Sequence, residues 1–163
     1  MNNKRPITPS QALNKAAALC SRCEQASGDI LAKLTKWGLG ATQASEVISQ
    51  LTQQGFLDDS RFARAFVKDK FTFNGWGRIK IAYQLRLKGI PSEVVEEAMT
   101  AIDEEPYRQR LVELLQTKWN AVSDREPRAA WAAMMRFAAS RGFEAGIAAE
   151  CVKLVTKTDV QND

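Results

Sequence analysis

Basic side chains concentrated in the middle of the chain are the residues best suited to bind a partner. Between Arg61 and Lys88 the sequence has eight basic residues and one acidic residue, Asp69. The basic residues are Arg61, Arg64, Lys68, Lys70, Arg78, Lys80, Arg86 and Lys88. Guanidinium and ammonium groups bind phosphate oxygens and carboxylates, so this basic stretch predicts contact with DNA phosphates or with an acidic protein surface.

The charges of the basic stretch cannot all face one ligand. Arg61, Arg64 and Lys68 are spaced at i, i+3 and i+7, so they share one face of a helix. The four basic residues of the following helix fall on two different stripes. Six acidic and no basic residues follow between Glu93 and Glu105, and this segregation creates a field that attracts phosphate or an acidic partner. The alternative interpretation is a solvated polar face that the acidic segment partly neutralises.

Aromatic residues in and near the basic stretch offer a second kind of contact. The rings of Trp37, Phe71, Phe73, Trp76 and Tyr83 are of the type on which unpaired bases stack. Aromatic residues at helical spacing more commonly belong to the core, and we expect a core position for most of these five. Trp76 lies between two glycines in a predicted turn, so we expect its ring to be partly exposed.

The sequence gives little support for catalysis or for metal binding. The chain has no histidine, which excludes Ser-His-Asp and Cys-His catalysis, and it has no glycine-rich phosphate loop. Cys20 and Cys23 form a C-x-x-C pair, but a zinc site requires four ligands, and we interpret these two and Cys151 as ordinary thiols. Asp58 and Asp59 are interpreted as helix N-caps rather than as a catalytic carboxylate pair. We therefore expect neither an enzyme nor a bound metal or cofactor.

Three glycines mark an internal repeat that positions these residues. Gly38, Gly89 and Gly142 are separated by 51 and 53 residues, and each stands between two apolar helical patterns. Apolar residues recur 6, 9, 10 and 13 positions after each glycine, and this spacing traces one face of a helix. Glycine readily adopts the left-handed conformation that ends a helix, so each glycine is predicted to separate two helices.

A further helix precedes each of these helix pairs. The predicted first helices run from Ser10 to Arg22, from Ser60 to Phe73 and from Pro106 to Trp119. The predicted fold is therefore all-α, with three tandem three-helix repeats that form an elongated curved body. The predicted segments are a flexible N-terminus at 1–9, repeats at 10–57, 58–105 and 106–157, and a flexible C-terminus at 158–163.

Length and composition are those of a soluble globular protein. The chain has 163 residues, of which 45% are hydrophobic and 26% charged, and its formal net charge is +4. It has no run of about 18 apolar residues, as a membrane span requires, and its N-terminus lacks the apolar centre of a signal peptide. The predicted location is the cytoplasm.

A helix-turn-helix DNA reader shares the helix–glycine–helix outline. Its recognition helix should be basic or rich in amides to meet the major groove. The helix after Gly89 instead carries Glu93, Glu96 and Glu97. The positive charge therefore lies on the wrong helices for sequence-specific reading, which leaves contact with the DNA backbone or with protein.

The middle of the chain resembles the RecX family of regulatory proteins. Residues 55–67 read GFLDDSRFARAFV, and residues 85–90 read LRLKGI. These segments match the family pattern of a G-x-[LIV]-[DN]-D-x-x-[FY]-A block followed by a basic helix that ends in K-G-[IV]. The resemblance covers residues 12–103, and the third repeat follows it in outline.

The resemblance implies a regulatory role in DNA repair. RecX proteins are three-repeat helical modulators of RecA, the bacterial strand-exchange ATPase, and they lie in the deep groove of the RecA filament on single-stranded DNA. They usually inhibit filament extension, strand exchange and ATP hydrolysis. For this chain the resemblance implies the RecA filament as partner, with direct contact to single-stranded DNA left open, and we expect a monomer.

Two other functions stay open. A stand-alone DNA-binding protein of low sequence specificity would bind DNA without RecA, with an affinity that falls steeply with salt. A helical scaffold for another protein would bind neither DNA nor RecA. The basic stretch favours the first two functions over the scaffold, and the GFLDDSRFA block favours RecA regulation over plain DNA binding.

Overall fold

The computed structural model describes the backbone of residues 5–160 and the side chains of residues 5–157. Over these residues it contains nine α-helices and no β-strand, which confirms the predicted all-α repeat fold. The elongated curved shape stays a prediction. The helices are α1 (Pro9–Arg22), α2 (Ser27–Lys36), α3 (Ala41–Gln53), α4 (Asp59–Thr72), α5 (Arg78–Leu87), α6 (Ser92–Met99), α7 (Glu104–Val122), α8 (Pro127–Ser140) and α9 (Ala145–Val160).

Side chains at the helix starts explain several of these bounds. Thr8 precedes α1 and accepts a hydrogen bond from the Gln11 backbone N–H at 3.1 Å, while the Gln11 side chain accepts one from the Thr8 N–H at 3.1 Å. This reciprocal capping satisfies two backbone donors that have no partner inside the helix. Pro9 takes the first helical position, where its missing N–H costs nothing.

The three repeat glycines end helices as predicted. Gly38, Gly89 and Gly142 follow α2, α5 and α8 with φ angles of 100°, 79° and 91°. In each case the N–H of the next residue donates to a carbonyl five positions back, at 3.0–3.2 Å. This is the hydrogen bond of a left-handed C-terminal cap, and it confirms the helix–glycine–helix prediction.

The chain divides into two compact units. The first unit comprises the residues up to Ala65 together with Leu85–Ala98, and the second comprises Phe66–Gln84 together with the residues from Met99 onward. Helices α4 and α5 therefore each contribute residues to both units. The repeat boundaries predicted at 57/58 and 105/106 stay predictions, and the two predicted flexible termini include residues 1–4 and 161–163, which lie outside the described residues.

The core of the first unit comes from the apolar faces of α1, α2 and α3. These helices pack against one another, because each has apolar residues at a helical period. Ala44, Val47 and Leu51 are buried, three of the positions predicted from their spacing after Gly38. Among the buried residues of this cluster are Ala12, Ala16, Ile30, Leu34, Leu39, Ala44, Val47, Leu51 and Leu57.

The second unit has its core around α7, which packs against both α8 and α9. The four positions that the repeat pattern places after Gly142 are all buried, as predicted. They are Ala148, Cys151, Val152 and Val155. Tyr107, a buried residue of α7, brings a hydroxyl into this core. Within the described part of the chain, no helix combines the length and apolar character needed to cross a membrane.

Candidate functional site

The aspartates next to the basic stretch act as helix caps within the first unit. Asp58 accepts a hydrogen bond from the Arg61 backbone N–H at 3.1 Å, which caps α4 as predicted. Asp59 does something the sequence did not indicate. Its carboxylate accepts hydrogen bonds from the Ser27 N–H at 2.8 Å and the Ser27 hydroxyl at 2.6 Å, so it caps α2 instead.

Arg61 is engaged inside the first unit. Its Nε donates to Glu24 at 2.6 Å, and its Nη2 donates to the carbonyls of Gly55 at 3.1 Å and Phe56 at 3.4 Å. The hydrogen bond to Glu24 raises the pKa of the Arg61 guanidinium. The two carbonyls follow the C-terminal end of α3, where backbone acceptors lack helical partners. Arg61 therefore joins the segment before α2, the end of α3 and the start of α4.

Lys88 is also paired within the first unit. Its ammonium group donates to Asp29 at 2.8 Å and lies 5.7 Å from the centroid of the Phe62 ring. The Lys88 carbonyl approaches Gly28 so closely that a Cβ there would lie 2.4 Å from the oxygen. Gly28 thus permits α2 to pack against the end of α5.

Arg78 forms the most extensive polar cluster of the second unit. Its guanidinium donates to Glu104 at 2.7 Å and to Glu144 at 3.0 Å, and lies 3.9 Å from the centroid of the Tyr107 ring. Its backbone N–H donates to the Tyr107 hydroxyl at 3.0 Å, and that hydroxyl donates to Glu144. The cluster ties the start of α5 to α7 and to Glu144, which directly precedes α9.

Two pKa shifts reflect this cluster. Burial raises the pKa of the Tyr107 hydroxyl, and the hydrogen bond to Glu144 raises it further. The hydrogen bond from Arg78 lowers the pKa of the Glu104 carboxyl. Both shifts favour the protonation states that the hydrogen bonds require at neutral pH, a neutral phenol and an ionised carboxylate.

Lys70 and Lys80 converge on one aromatic ring in the second unit. Their ammonium nitrogens lie 4.9 and 4.6 Å from the centroid of the Trp76 ring. Phe66 packs against the same indole edge-on, with the ring centroids 6.4 Å apart. No carboxylate in the described part of the chain forms an ion pair with either lysine. Trp76 is half-buried, in line with its predicted partial exposure.

The other three residues of the basic stretch are exposed. Arg64 and Arg86 belong to the first unit, and Lys68 belongs to the second. None of them has an ion-pair partner within residues 5–157. The basic stretch therefore contains three residues engaged by internal carboxylates and five whose charge is available to a partner.

The expected core position of the aromatic residues is wrong for Phe73 and Tyr83. These side chains are 77% and 55% exposed, respectively. Phe71, in contrast, stacks on Tyr107 with the ring centroids 5.9 Å apart, and Trp37 is half-buried beneath the Lys15 ammonium. Phe73 is exposed because it follows the last residue of α4, where the helical periodicity that predicts the core no longer applies.

The three cysteines lie in different surroundings. Cys23 is exposed, Cys20 is half-buried and Cys151 is buried. Burial raises the pKa of the Cys20 and Cys151 thiols, so both are held in the less reactive protonated form. In residues 5–157 no group of three side chains of the metal-binding types comes together.

Comparison with known proteins relates this arrangement to one family. The model of the second three-helix domain of RecX matches residues 58–99, which include α4, α5 and α6. The regulatory protein RecX of Mycolicibacterium smegmatis is 31% identical over 108 residues, which are 66% of this chain and 57% of that protein. The regulatory protein RecX of Amycolatopsis mediterranei is 23% identical over 154 residues, which are 90% of this chain and 86% of that protein.

A solved structure has the same fold. The crystal structure of RecX from Lactobacillus salivarius aligns with a TM-score of 0.83 at 20% identity, and the alignment covers 91% of this chain and 96% of that one. The chain spans just over half the length of the M. smegmatis relative that it matches. The structural likeness thus extends over nearly the whole chain.

Proposed function

We propose that this chain, as a member of the RecX family of regulatory proteins, binds the RecA filament on single-stranded DNA and inhibits it. The chain would inhibit the ATPase, recombinase and strand-exchange activities of RecA during DNA repair. The chain would act in the cytoplasm as a regulator rather than as an enzyme, without a cofactor of its own.

The observation that carries the proposal is the unpaired positive charge within the segment that matches the family. Five basic residues there lack a carboxylate partner in the described part of the chain. They are Arg64, Lys68, Lys70, Lys80 and Arg86. Uncompensated cations on a protein surface attract phosphates and acidic side chains, and a nucleoprotein filament presents phosphates along its whole length.

Three of the eight basic residues that the sequence predicts as contacts are paired with carboxylates of the protein itself. Arg61, Arg78 and Lys88 already bind carboxylates inside the protein. These ion pairs partly neutralise the charge that the three residues would offer to a partner. We therefore propose the five unpaired residues as the ones that meet the filament.

Stand-alone DNA binding is the second candidate, because the same five charges would also bind DNA without RecA. Co-sedimentation separates the two. The protein is mixed with RecA filaments on single-stranded DNA, with RecA alone, and with DNA alone, and the bound fraction is measured at several salt concentrations. RecA regulation predicts that the filament retains far more protein than either component. Equal retention by bare DNA and by filament would support the alternative.

A pair of variants tests whether the unpaired charges matter. Arg64→Ala/Arg86→Ala removes two exposed cations of the first unit and should weaken retention by the filament. Lys33→Ala/Lys36→Ala removes two exposed cations of α2 outside the basic stretch and serves as the matched control. Equal losses in both variants would mean that only net charge counts, which would contradict a specific role for the basic stretch.

A further inference from the structure

The turn between α4 and α5 contacts Arg141 and Gly142, which follow α8 in the same unit. Arg141 donates from its guanidinium to the Asn74 carbonyl at 3.0 Å, and its own carbonyl accepts from the Gly77 N–H at 2.7 Å. A Cβ at Gly77 would lie 2.4 Å from the Gly142 backbone. These contacts with the end of α8 restrict the conformation of the turn.

Trp76 in this turn holds two lysines in place. The ammonium of Lys70, from α4, and that of Lys80, from α5, both lie over its ring, at 4.9 and 4.6 Å from the centroid. Cation–π attraction limits the freedom of these two long side chains. Since both like charges lie near one ring and have no carboxylate within the described residues, an anion would relieve their mutual repulsion.

Phe73 lies three residues before Trp76 and is 77% exposed, the most exposed large apolar side chain in the described part of the chain. Trp76 is half-buried and both ammonium groups lie over its ring, so Phe73 offers the more exposed aromatic surface of the turn. The turn thus combines an exposed ring, three residues from both Lys70 and Trp76 in the sequence, with two ammonium groups that lie over the Trp76 ring.

We propose that this turn is a binding site for unpaired nucleotides, in which a base stacks on Phe73 while Lys70 and Lys80 bind the flanking phosphates. Trp76 would be a positioning residue that fixes the two ammonium groups. Stacking on aromatic rings combined with lysine–phosphate contacts is the general mode by which proteins bind single strands without reading sequence. The site would give the proposed regulator a direct contact with DNA. The inference rests on the proposed function in one respect: it assigns the single strand of the RecA filament as the ligand in the cell.

The combination of groups favours a single strand over a duplex or an acidic protein. In a duplex each base face is covered by its neighbours, so Phe73 would find no surface to stack on. An acidic peptide would satisfy the lysines but would leave the phenyl ring in water. An unpaired nucleotide satisfies both.

The experiment measures binding of a fluorescent oligothymidylate and of an abasic oligonucleotide of the same length, which keeps the phosphates but lacks the bases. The wild-type protein should prefer the oligothymidylate by about tenfold, which lies within the range that one stacked base contributes. Phe73→Leu, which keeps an apolar side chain but removes the ring, should abolish the preference, and Phe73→Trp should keep it. Trp76→Ala should weaken binding to both oligonucleotides alike, because it releases the lysines.

Trp131→Leu is the matched control, because Trp131 is a partly exposed aromatic residue of the same unit. It lies ten residues from Arg141 along α8, or about 15 Å, and its loss should change neither affinity. Equal wild-type affinity for the two oligonucleotides, or an undiminished preference in Phe73→Leu, would overturn the site. These measurements on bare DNA need no RecA. They can therefore disprove the nucleotide site without disproving filament regulation, and a failure of filament regulation would not disprove the site.

Discussion

Asp59 accepts two hydrogen bonds from Ser27, at 2.8 Å from its N–H and at 2.6 Å from its hydroxyl, although 32 residues separate them. Ser27 is the first residue of α2, and Asp59 is the first residue of α4. One carboxylate therefore stabilises the start of a helix other than its own. The adjacent Asp58 caps α4, so the paired aspartates of the GFLDDSRFA block have separate structural tasks in the first unit.

Replacing Asp59 should destabilise the first unit through α2. We expect Asp59→Ala to lower the free energy of unfolding by about 1–2 kcal/mol, because it leaves two donors of α2 without their acceptor. Urea denaturation measures the loss, and Asp124→Ala, at an exposed carboxylate, serves as control. The double variant with Ser27→Ala should lose less than the two single variants together. Strictly additive losses would contradict the cross-helix cap.

Replacing Arg61 should affect stability before it affects binding. Arg61→Ala removes the donors to Glu24 and to two carbonyls at the end of α3, so the thermal midpoint should fall. Arg64→Ala removes an exposed cation three residues later and should leave the midpoint nearly unchanged. Scanning calorimetry of the two variants provides the comparison. A lower midpoint for Arg64→Ala than for Arg61→Ala would reverse the assignment of these residues.

Tyr107 should make the second unit sensitive to alkali. Its folded pKa is raised above the ordinary value of 10.0 by burial and by the hydrogen bond to Glu144. Between these two pKa values the unfolded chain has lost the phenolic proton and the folded chain has kept it. The stabilisation is therefore complete below pH 10 and declines as the pH rises above it.

The Tyr107→Phe variant tests this directly. At neutral pH it should lower the free energy of unfolding by about 1–3 kcal/mol, because the half-buried Arg78 N–H and the Glu144 carboxylate lose a partner. Above pH 10 its stability should fall less steeply than that of the wild type. Tyr83→Phe, at the exposed tyrosine, should keep the wild-type dependence. Parallel pH curves for wild type and Tyr107→Phe would exclude the proposed linkage.

Two glycines should respond to alanine with opposite signs. A Cβ at Gly77 would lie 2.4 Å from the backbone of Gly142, whereas nothing lies within 4 Å of one at Gly146. Gly77→Ala should therefore destabilise the protein by about 1–3 kcal/mol, and Gly146→Ala, in α9, should stabilise it by about 0.5–1 kcal/mol. Chemical denaturation of both variants measures these changes in stability. Equal effects would show that backbone approach does not constrain the turn at Gly77.

Local features of the fold were predictable from the sequence. Gly38, Gly89 and Gly142 end helices in the left-handed conformation, and Asp58 caps the helix that it precedes. Each of these roles depends on residues a few positions away, so sequence spacing contains the necessary information. The buried positions after each glycine follow for the same reason.

The sequence did not reveal which residues of the basic stretch form ion pairs within the protein. Arg61 meets Glu24 and Lys88 meets Asp29, at separations of 37 and 59 residues, and Arg78 meets Glu144 at 66. Periodicity along one helix says which residues share a face, but not which distant carboxylate approaches that face. The exposure of Phe73 escaped prediction because α4 ends just before it, and helix ends are poorly marked in sequence.

The most direct test of the central claim is RecA ATP hydrolysis on single-stranded DNA during titration of this protein. Two triple variants accompany the wild type: Lys68→Ala/Lys70→Ala/Lys80→Ala, which removes unpaired charge from the basic stretch, and Lys33→Ala/Lys36→Ala/Lys153→Ala, which removes three exposed lysines elsewhere. We predict inhibition at fewer than one molecule per RecA, weakened in the first variant and retained in the second. Unchanged RecA turnover at stoichiometric protein, with binding to bare DNA intact, would contradict filament regulation and leave DNA binding as the function.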